Sequence, residues 1–463
     1  MLRGCKKNYV PLDTFRDAVL TKIVRPAQAL KACVLVRHFS CACCVVVLLF
    51  AAATTVFAQD DEVPVDYISK AHSLSSKAAP RGHVNGEEHS RFGLANIDSL
   101  PVWIKHFKTD GFDSSGKPQS TWRFSMVGNP PELGGTTTVD SPIIPVSLDL
   151  RDKNGNPRLV KGQRLFYDVT PFVLLTFASP VFQKANYASS PVATQFGDAL
   201  QRAQFPEAAR SDWHTLLTPS VKSTRVMTIN QDPTCPQRCN YRYALNTDGT
   251  CCFFVLVDDA VFGNLLFPQT YPFDSSTPVG SAENSGDITT TSIATFLFPN
   301  TYLYSHANPS VCCTLGYHTF DLEPGTASSG NLDRVYVLNY SSWITPGIFD
   351  SGLADISALS HNVAEIFNNP FVSADGIHNV TPWWLSPNGK CQNDLEASAA
   401  IEDLPHQLFP ITMNGLTYHP QNAALLQWFA FESPSSALNG AYSFPDAGTL
   451  QALSPRQNAG CKP

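Results

Sequence analysis

The chain has few charged residues and no excess of basic ones. Asp, Glu, Lys and Arg together make up 15% of its 463 residues, and the formal net charge is -7. A domain that binds nucleic acid is expected to carry a basic patch facing the phosphate backbone. The composition therefore argues against nucleic acid as a partner and against adhesion to an anionic membrane surface.

Two common catalytic signatures are also missing. The sequence contains neither a Gly-rich loop of the kind that cradles phosphates nor the G-x-S-x-G turn that presents a serine nucleophile. It therefore gives no support for phosphoryl transfer or for serine hydrolase chemistry.

Apolar residues and proline, in contrast, are abundant. Hydrophobic residues make up 43% of the chain, with 29 Phe and 14 Tyr, and 35 Pro lie between short apolar runs. This is ample material for a core. Short apolar runs separated by turn-forming residues are typical of strands. We predict a loop-rich, β-rich α+β fold.

One long uncharged run lies near the N-terminus. Residues 41–58, CACCVVVLLFAAATTVFA, follow the basic Lys31 and Arg37 and precede an acidic stretch. This order is typical of an export signal, and Val56 and Ala58 favour cleavage after Ala58. The segment ahead of the run is long for a signal peptide, so an uncleaved anchor is the alternative. We expect a secreted, periplasmic or cell-surface protein, which would touch a membrane only through an uncleaved leader.

Cysteine usage agrees with export. Beyond the leader the chain has an even set of eight: Cys235, Cys239, Cys251, Cys252, Cys312, Cys313, Cys391 and Cys461. In an oxidising compartment an even set predicts disulfides, and the cluster at 235–252 has the spacing of a local staple. A four-cysteine zinc site is the alternative, although adjacent cysteines are poor partners for the same tetrahedral ion. The pairing cannot be derived from the sequence.

Five segments follow from these patterns. They are a leader at 1–58, a polar linker at 59–95, a β-rich N-terminal subdomain at 96–234, a second subdomain at 235–445 and a tail at 446–463. Within them, strands are predicted over 121–127, 165–169, 253–257, 293–298 and 335–338, and a short helix over 195–203.

The most informative segment is a predicted helix over residues 355–367. Its apolar stripe consists of Ile356, Leu359, Val363 and Ile366. His361 and Glu365 lie on roughly the opposite side, one helical turn apart, where their side chains can converge on one cation. A solvated His/Glu face on an ordinary amphipathic helix is the alternative interpretation.

The residue after His361 determines what chemistry such a site could support. In zincins this residue is a glutamate that serves as the general base. Here it is Asn362, whose amide can orient a water but cannot take its proton. We interpret Asn362 as an impaired base position. Glu402 or Asp355 could act instead, although Asp355 lies well off the ligand face of the helix.

Four sequence elements in a fixed order resemble a known family. The run SHNVAEIFNNPF at 360–371 resembles the S-H-E-x-A-E-x-x-x-x-P-F segment of exported bacterial zinc metallopeptidase-like proteins. The runs CCTLGYH at 312–318, TPWW at 381–384 and CQNDLE at 391–396 are similar to that family's C-x-x-x-G-Y/T-H, T-P-x-W and C-Q-N-x-L-E elements. A more distant likeness is to plant phosphate-induced, exordium-like proteins. The chain departs from the pattern at Asn362, where the family has Glu.

The resemblance implies a zinc site in a zincin-like second subdomain. His361 and Glu365 would be the helical ligands, with Glu396 as third ligand and His318 as the second choice for that place. Three protein ligands and a water are the usual complement of catalytic zinc. Three acids are interpreted as solvated loop charges, one of which could orient a metal ligand: Asp394, Glu402 and Asp403. Three further histidines are interpreted as structural or exposed: His378, His406 and His419.

Two classes of function are compatible with these residues. The first is an exported zinc-dependent, peptidase-like hydrolase with an atypical active site, acting on a peptide, protein or cell-wall substrate. The second is a non-catalytic extracellular pseudoenzyme or binding protein of the same fold. The order of the four elements favours the first class, whereas Asn362 favours the second. A third interpretation is that no metal binds and the His/Glu pair is accidental.

Overall fold

The computed structural model describes most of the chain beyond the predicted leader. The described ranges are 94–112, 116–187, 192–269, 275–372, 374–375, 384–392 and 395–454. The predicted leader, most of the linker, and Cys461 lie outside these ranges. No helix within these ranges has the length and hydropathy needed to cross a membrane.

Eight strands form a mixed main sheet with a parallel centre. Strands β4 (Thr136–Arg151), β12 (Ile293–Pro299) and β16 (Asp333–Trp343) lie side by side and parallel. Strand β15 (Gly316–Glu323) pairs antiparallel with β16. The other members of this sheet are β1 (Ile97–Asp98), β7 (Phe166–Tyr167), β8 (His214–Val221) and β9 (Arg225–Asn230).

The remaining strands form smaller sheets. A four-stranded sheet has the order β10 (Tyr241–Leu245), β11 (Cys251–Asp258), β13 (Thr301–Tyr304), β14 (Cys312–Thr314). Five two-stranded sheets consist of β2 (Val102–Phe112) with β3 (Pro118–Val127), β5 (Leu159–Val160) with β6 (Gln163–Arg164), β17 (Trp384–Leu385) with β18 (Cys391–Gln392), β19 (Ile411–Met413) with β20 (Leu416–Tyr418), and β21 (Ala423–Ala424) with β22 (Ser443–Phe444).

Helices cover both faces of the main sheet. Those described are α1 (Thr170–Phe177), α2 (Phe196–Gln204), α3 (Asp259–Leu266), α4 (Pro278–Asn284), α5 (Ser357–Asn368) and α6 (Leu426–Phe429). Strand β12 shows why the main sheet has a core on each face, because successive side chains of a strand point to opposite faces. Its Ile293 and Leu297 pack in the core with α2 and α5, whereas Phe296 and Phe298 pack in the core with α3 and α4.

This architecture confirms the predicted α+β, loop-rich class. Each predicted strand overlaps an observed one, and the helix predicted over 195–203 is α2. The helix predicted over 355–367 is α5, which begins two residues later and ends one residue later. Strands from both predicted subdomains, 96–234 and 235–445, belong to the main sheet.

The predicted disulfides are present among the described cysteines. The pairs are Cys235–Cys239, Cys251–Cys252 and Cys312–Cys313, and Cys391 is also disulfide-bonded. The alternative of a four-cysteine zinc site at 235–252 is therefore wrong, because all four of its thiols are used in two bridges. The local disulfide bonding predicted for this cluster is confirmed. One bridge joins Cys235 to Cys239, and a second joins Cys251 to Cys252.

A buried acidic group lies on the face of the main sheet opposite α5. Glu283 of α4 is 7% exposed and faces Asp321 and Glu323 of β15, while Arg334 pairs with Glu323. Burial and the negative charge of Asp321 together raise the pKa of Glu283 to about 10. The neutral form of Glu283 is thus favoured in the folded protein at neutral pH.

Replacing Glu283 by glutamine is expected to stabilise the protein as pH rises. A carboxyl whose pKa is raised on folding contributes its full stability below the unfolded pKa of 4.5, and that contribution is lost as pH rises through the folded pKa of about 10. Glutamine cannot ionise, so the stability of Glu283→Gln relative to the native chain should rise by up to about 1.4 kcal/mol per pH unit between these two pKa values and should change little below the lower one. Unfolding midpoints across this pH range measure the effect.

The matched control is the same change at an exposed carboxyl, Glu207→Gln, which should leave the pH dependence unchanged. A Glu283→Gln stability difference that is constant with pH would contradict a buried carboxyl with a raised pKa.

Candidate metal centre

Helix α5 positions the centre by packing across β15 and β16. Its residues Asn362 and Glu365 are three apart, so they lie on one side of the helix and face alternate residues of β15. Glu365 meets His318, with Oε2 3.3 Å from Nδ1. Asn362 meets Gly316, where a Cβ would lie only 2.7 Å from Nδ2 of the asparagine. The absence of a side chain at Gly316 therefore permits the close approach of helix and strand.

The C-terminal end of α5 supplies a further contact to the centre. Pro370 cannot continue the helix, and the N–H of Asn369 donates to the carbonyl of Glu365 at 2.7 Å. The carbonyl of Asn369 lies 3.2 Å from Nε2 of His318, and its Nδ2 donates to Oε1 of Glu396 at 3.2 Å. Asn369 thus contacts the side chains of two predicted ligands and the backbone of a third.

The segment after residue 395 closes the centre from another side. It carries Glu396, and the N–H of Ala399 donates to Oε1 of Glu365 at 3.1 Å. Ser398 Oγ donates to the carbonyl of His361 at 3.1 Å. These bonds hold the segment against α5, so Glu396 is presented by a fixed stretch of backbone.

Three of the predicted residues form a group with the geometry to hold a metal ion. One ligand atom from each of His318, Glu365 and Glu396 lies within 4.8 Å of the other two. Oε1 of Glu396 is 3.8 Å from Nε2 of His318. The fourth predicted ligand, His361, contacts the group through Glu365, with Nε2 3.0 Å from Oε2. The structure therefore brings together all four residues predicted to bind metal.

The spacing of these atoms suits a small divalent cation. Zinc bound to nitrogen or oxygen at about 2.0–2.1 Å in tetrahedral geometry places its ligand atoms roughly 3.3–3.5 Å apart. The contacts of Glu365 Oε2 to His318 Nδ1 and His361 Nε2, at 3.3 and 3.0 Å, are close to that spacing. A set of two imidazoles and two carboxylates suits several first-row metals, including zinc.

The two histidines face only oxygen atoms at both ring nitrogens. His318 has Nε2 against the carbonyl of Asn369 and Nδ1 against Glu365. His361 has Nδ1 3.1 Å from Oε1 of Gln421 and Nε2 against Glu365. A neutral imidazole has a single N–H, so one nitrogen of each ring would point its lone pair at the lone pair of an oxygen. Such a contact is favourable only if a proton or a metal ion lies between the two atoms.

The charges of the site agree with this requirement. Burial by itself would lower the pKa of His361, but the carboxylate of Glu365 and the more distant Glu402 raise it to about 9. Burial likewise opposes ionisation of Glu365, yet His361 and His318 hold the pKa of its carboxyl well below its usual range. Without a metal the centre is thus a buried ion pair, and a metal ion would displace its proton.

The predicted alternative of a solvated His/Glu face is wrong. Glu365 is 3% exposed, and the side of α5 that carries it packs against β15. The centre is nevertheless not closed on all sides. The side chains of Glu396 and His361 are 20% and 14% exposed, so solvent reaches the group from their side.

Asn362 belongs to the interface between α5 and the sheet. It is fully buried, and its Nδ2 donates to the carbonyl of Tyr340 at 2.8 Å and to Ser341 Oγ at 2.9 Å. Its Oδ1 has no hydrogen-bond partner among the described residues. These contacts give Asn362 a role in packing the helix onto β16.

The other candidates are scattered around the centre. Glu402 lies nearest, with Oε1 3.6 Å from His361 Nδ1 and an ion pair to Lys390. It is therefore not a solvated loop charge, and its position agrees with the alternative of an acid that orients a ligand. Asp355 is paired with His419 at 2.6 Å. The remaining candidates are Asp403 and His406, which are exposed, and Asp394 and His378, which lie outside the described residues.

Sequence patterns did not single out Asn369 and Gln421. Asn369 is an ordinary helix-terminating residue by its local sequence, and its contacts to His318 and Glu396 exist only once strand, helix and loop meet. Gln421 lies 60 residues beyond His361, in a segment without helical or strand periodicity. No local signal connects it to the site.

Comparisons with known proteins give no relative. No family model matches the chain, and neither a curated protein nor a solved structure matches it. The resemblance to zinc metallopeptidase-like proteins therefore stays a prediction.

Proposed function

We propose that the protein is an exported zinc-dependent hydrolase of the peptidase-like type, with an atypical active site. The observation that carries this proposal is the group of His318, Glu365 and Glu396, whose ligand atoms lie within 4.8 Å of one another at a partly exposed position. Three protein ligands with solvent access for a water are the pattern of catalytic zinc sites.

Each residue has a separate role in this proposal. His318 and Glu365 are the buried ligands, fixed by the packing of α5 on β15. Glu396, on the solvent side, is the ligand that a substrate would meet, and Asn369 orients it. His361 either joins as a fourth ligand or remains the hydrogen-bonded partner of Glu365. Zinc bound here would polarise a carbonyl group and activate a water.

We expect this hydrolase to lack an effective general base. Asn362 is held by Tyr340 and Ser341 and has no ionisable group, and Glu402 is paired with Lys390. General-base catalysis contributes about 10²–10⁴-fold to the rate of a reaction. We therefore expect turnover to be slower by a factor of this order than in a hydrolase that has the base.

Export is supported by the disulfides and by the leader sequence. Three disulfides among the described residues are typical of proteins from an oxidising compartment. A peptide, a protein or a cell-wall polymer is the substrate class available to such an enzyme.

A second candidate function is a non-catalytic metal-binding protein of the same fold. It is favoured by the hydrogen bonds between Asn362 and the sheet, because they give this residue a role in packing α5 that does not depend on catalysis. Such a protein would use the metal to hold β15, α5 and the Glu396 segment together.

Metal content and hydrolysis test the proposal together. We expect one equivalent of zinc in the full chain, expressed with its own leader, and loss of that zinc in His361→Ala or His318→Ala. His106→Ala is the matched control, because His106 is exposed on β2. Slow, chelator-sensitive cleavage of a peptide library would support the hydrolase. Bound zinc without turnover would favour the non-catalytic protein, and no zinc after supplementation would exclude both.

A further inference from the structure

The outer nitrogens of both histidines are held by fixed hydrogen-bond acceptors. Nε2 of His318 faces the main-chain carbonyl of Asn369 at 3.2 Å, and Nδ1 of His361 faces Oε1 of Gln421 at 3.1 Å. A carbonyl oxygen can only accept, so the nitrogen that faces it must carry the proton. The opposite nitrogens, Nδ1 of His318 and Nε2 of His361, both point to Oε2 of Glu365.

The orientation of the Gln421 amide is determined by its other contacts. Its Nε2 donates to the carbonyl of Ser398 at 3.2 Å, and its main-chain N–H donates to Ser360 Oγ at 2.8 Å. Turning the amide over would place its oxygen against the carbonyl of Ser398, which is an acceptor as well. Gln421 is 3% exposed, so water cannot replace these bonds freely. Its Oε1 must therefore face His361.

We propose that Gln421 is a positioning residue that keeps the proton of His361 on Nδ1 and so offers Nε2 to the metal. This inference rests on the proposed metal site and deepens it. A hydrogen bond from the second nitrogen of a histidine ligand fixes its tautomer and orientation and raises its basicity.

The direct test needs no substitution. The full chain, labelled with ¹⁵N at histidine and loaded with zinc, should give a His361 ring with a protonated Nδ1 and a metal-bound Nε2. The His361 signals are identified by their loss in His361→Ala. Metal bound through Nδ1 of His361, or a His361 ring unaffected by zinc, would overturn the inference.

Substitution of Gln421 measures the size of the effect. Gln421→Met keeps the length of the side chain and removes the hydrogen-bonded acceptor, which leaves only Glu402 Oε1, 3.6 Å from Nδ1 of His361. Affinity for zinc should therefore fall about 10–100-fold, the usual cost of losing such a partner. Affinity is measured by competition with a chromogenic chelator, and cobalt(II) absorption reports the change in coordination. Gln231→Met is the matched control, because Gln231 is also buried and donates to a main-chain carbonyl away from the centre.

The outcomes separate this inference from the proposed function. If the native chain binds neither zinc nor cobalt, the proposed metal site is wrong and the inference falls with it. If the native chain and Gln421→Met bind cobalt with equal affinity and the same absorption spectrum, the metal site stands and only the role of Gln421 is wrong. A loss of thermal stability in Gln421→Met with unchanged metal affinity would show a merely structural role and would likewise overturn the inference.

Discussion

Replacing Glu365 by alanine is expected to abolish metal binding and to destabilise the metal-free protein. Glu365 Oε2 lies 3.3 Å from His318 Nδ1 and 3.0 Å from His361 Nε2, so it is the shared partner of both histidines. Its other oxygen accepts the N–H of Ala399 at 3.1 Å and holds the segment that carries Glu396. One substitution thus removes a ligand and loosens the backbone that presents another.

The stability loss follows from the charge that Glu365 leaves behind. Glu365 helps to raise the pKa of His361 to about 9, so the removal of the carboxylate leaves a buried imidazole with only the more distant Glu402 as its counter-charge. Breaking a buried ion pair by removing one partner typically costs about 3–5 kcal/mol. We expect a loss of this order in chelator-treated Glu365→Ala.

Two measurements on the same samples check this prediction. Elemental analysis gives the zinc content, and denaturant unfolding in the presence of chelator gives the change in free energy. Glu207→Ala, at an exposed carboxyl, is the control that should change neither. Retention of one equivalent of zinc by Glu365→Ala would show that the centre proposed here is not the metal site.

Asn362→Glu is expected to destabilise the fold and to leave catalysis unrestored, although glutamate is the residue that the zincin pattern has at this position. The amide of Asn362 donates to the carbonyl of Tyr340 and to Ser341 Oγ, and a carboxylate has no proton to donate to either. The longer side chain would also be forced into the space beside Gly316, where the fit is already tight. Overpacking and an unpaired buried charge together should cost about 3 kcal/mol or more.

Asn362→Asp separates these two causes. It removes the same donor without adding volume, so it should destabilise the protein less than Asn362→Glu in equilibrium unfolding. Hydrolysis assays on both variants complete the comparison. A stable Asn362→Glu protein with faster, chelator-sensitive turnover would contradict the packing role and would identify the native chain as a degenerate enzyme.

Local sequence was a good guide to α5 and to two of its functional side chains. The stripe that includes Leu359 and Val363 predicted the helix, because burial of an apolar face repeats with the helical period. The spacing of His361 and Glu365 predicted that they would meet, because residues one turn apart are neighbours on any helix. Both predictions depend on geometry within one element.

The contacts of α5 with the rest of the chain could not be predicted from its local sequence. The apolar stripe predicted one buried face, whereas α5 is buried almost all round, because β15 and the segment after residue 395 cover the polar side too. Asn362 was therefore interpreted through a catalytic pattern, although its contacts are with the sheet. The direction of a side chain relative to a second element is not contained in the periodicity of the first.

The amino-acid sequence by itself determined the α+β class, the bridged cysteine cluster and a helix with a histidine and a glutamate on one side. Each of these depends on composition, spacing or period within a short stretch of chain. Only the tertiary structure decided that His318 and Glu396 join Glu365, that Gln421 orients His361, and that Asn362 faces β16. These contacts join residues from distant parts of the chain, and they exist only where strand pairing and helix packing bring those parts together.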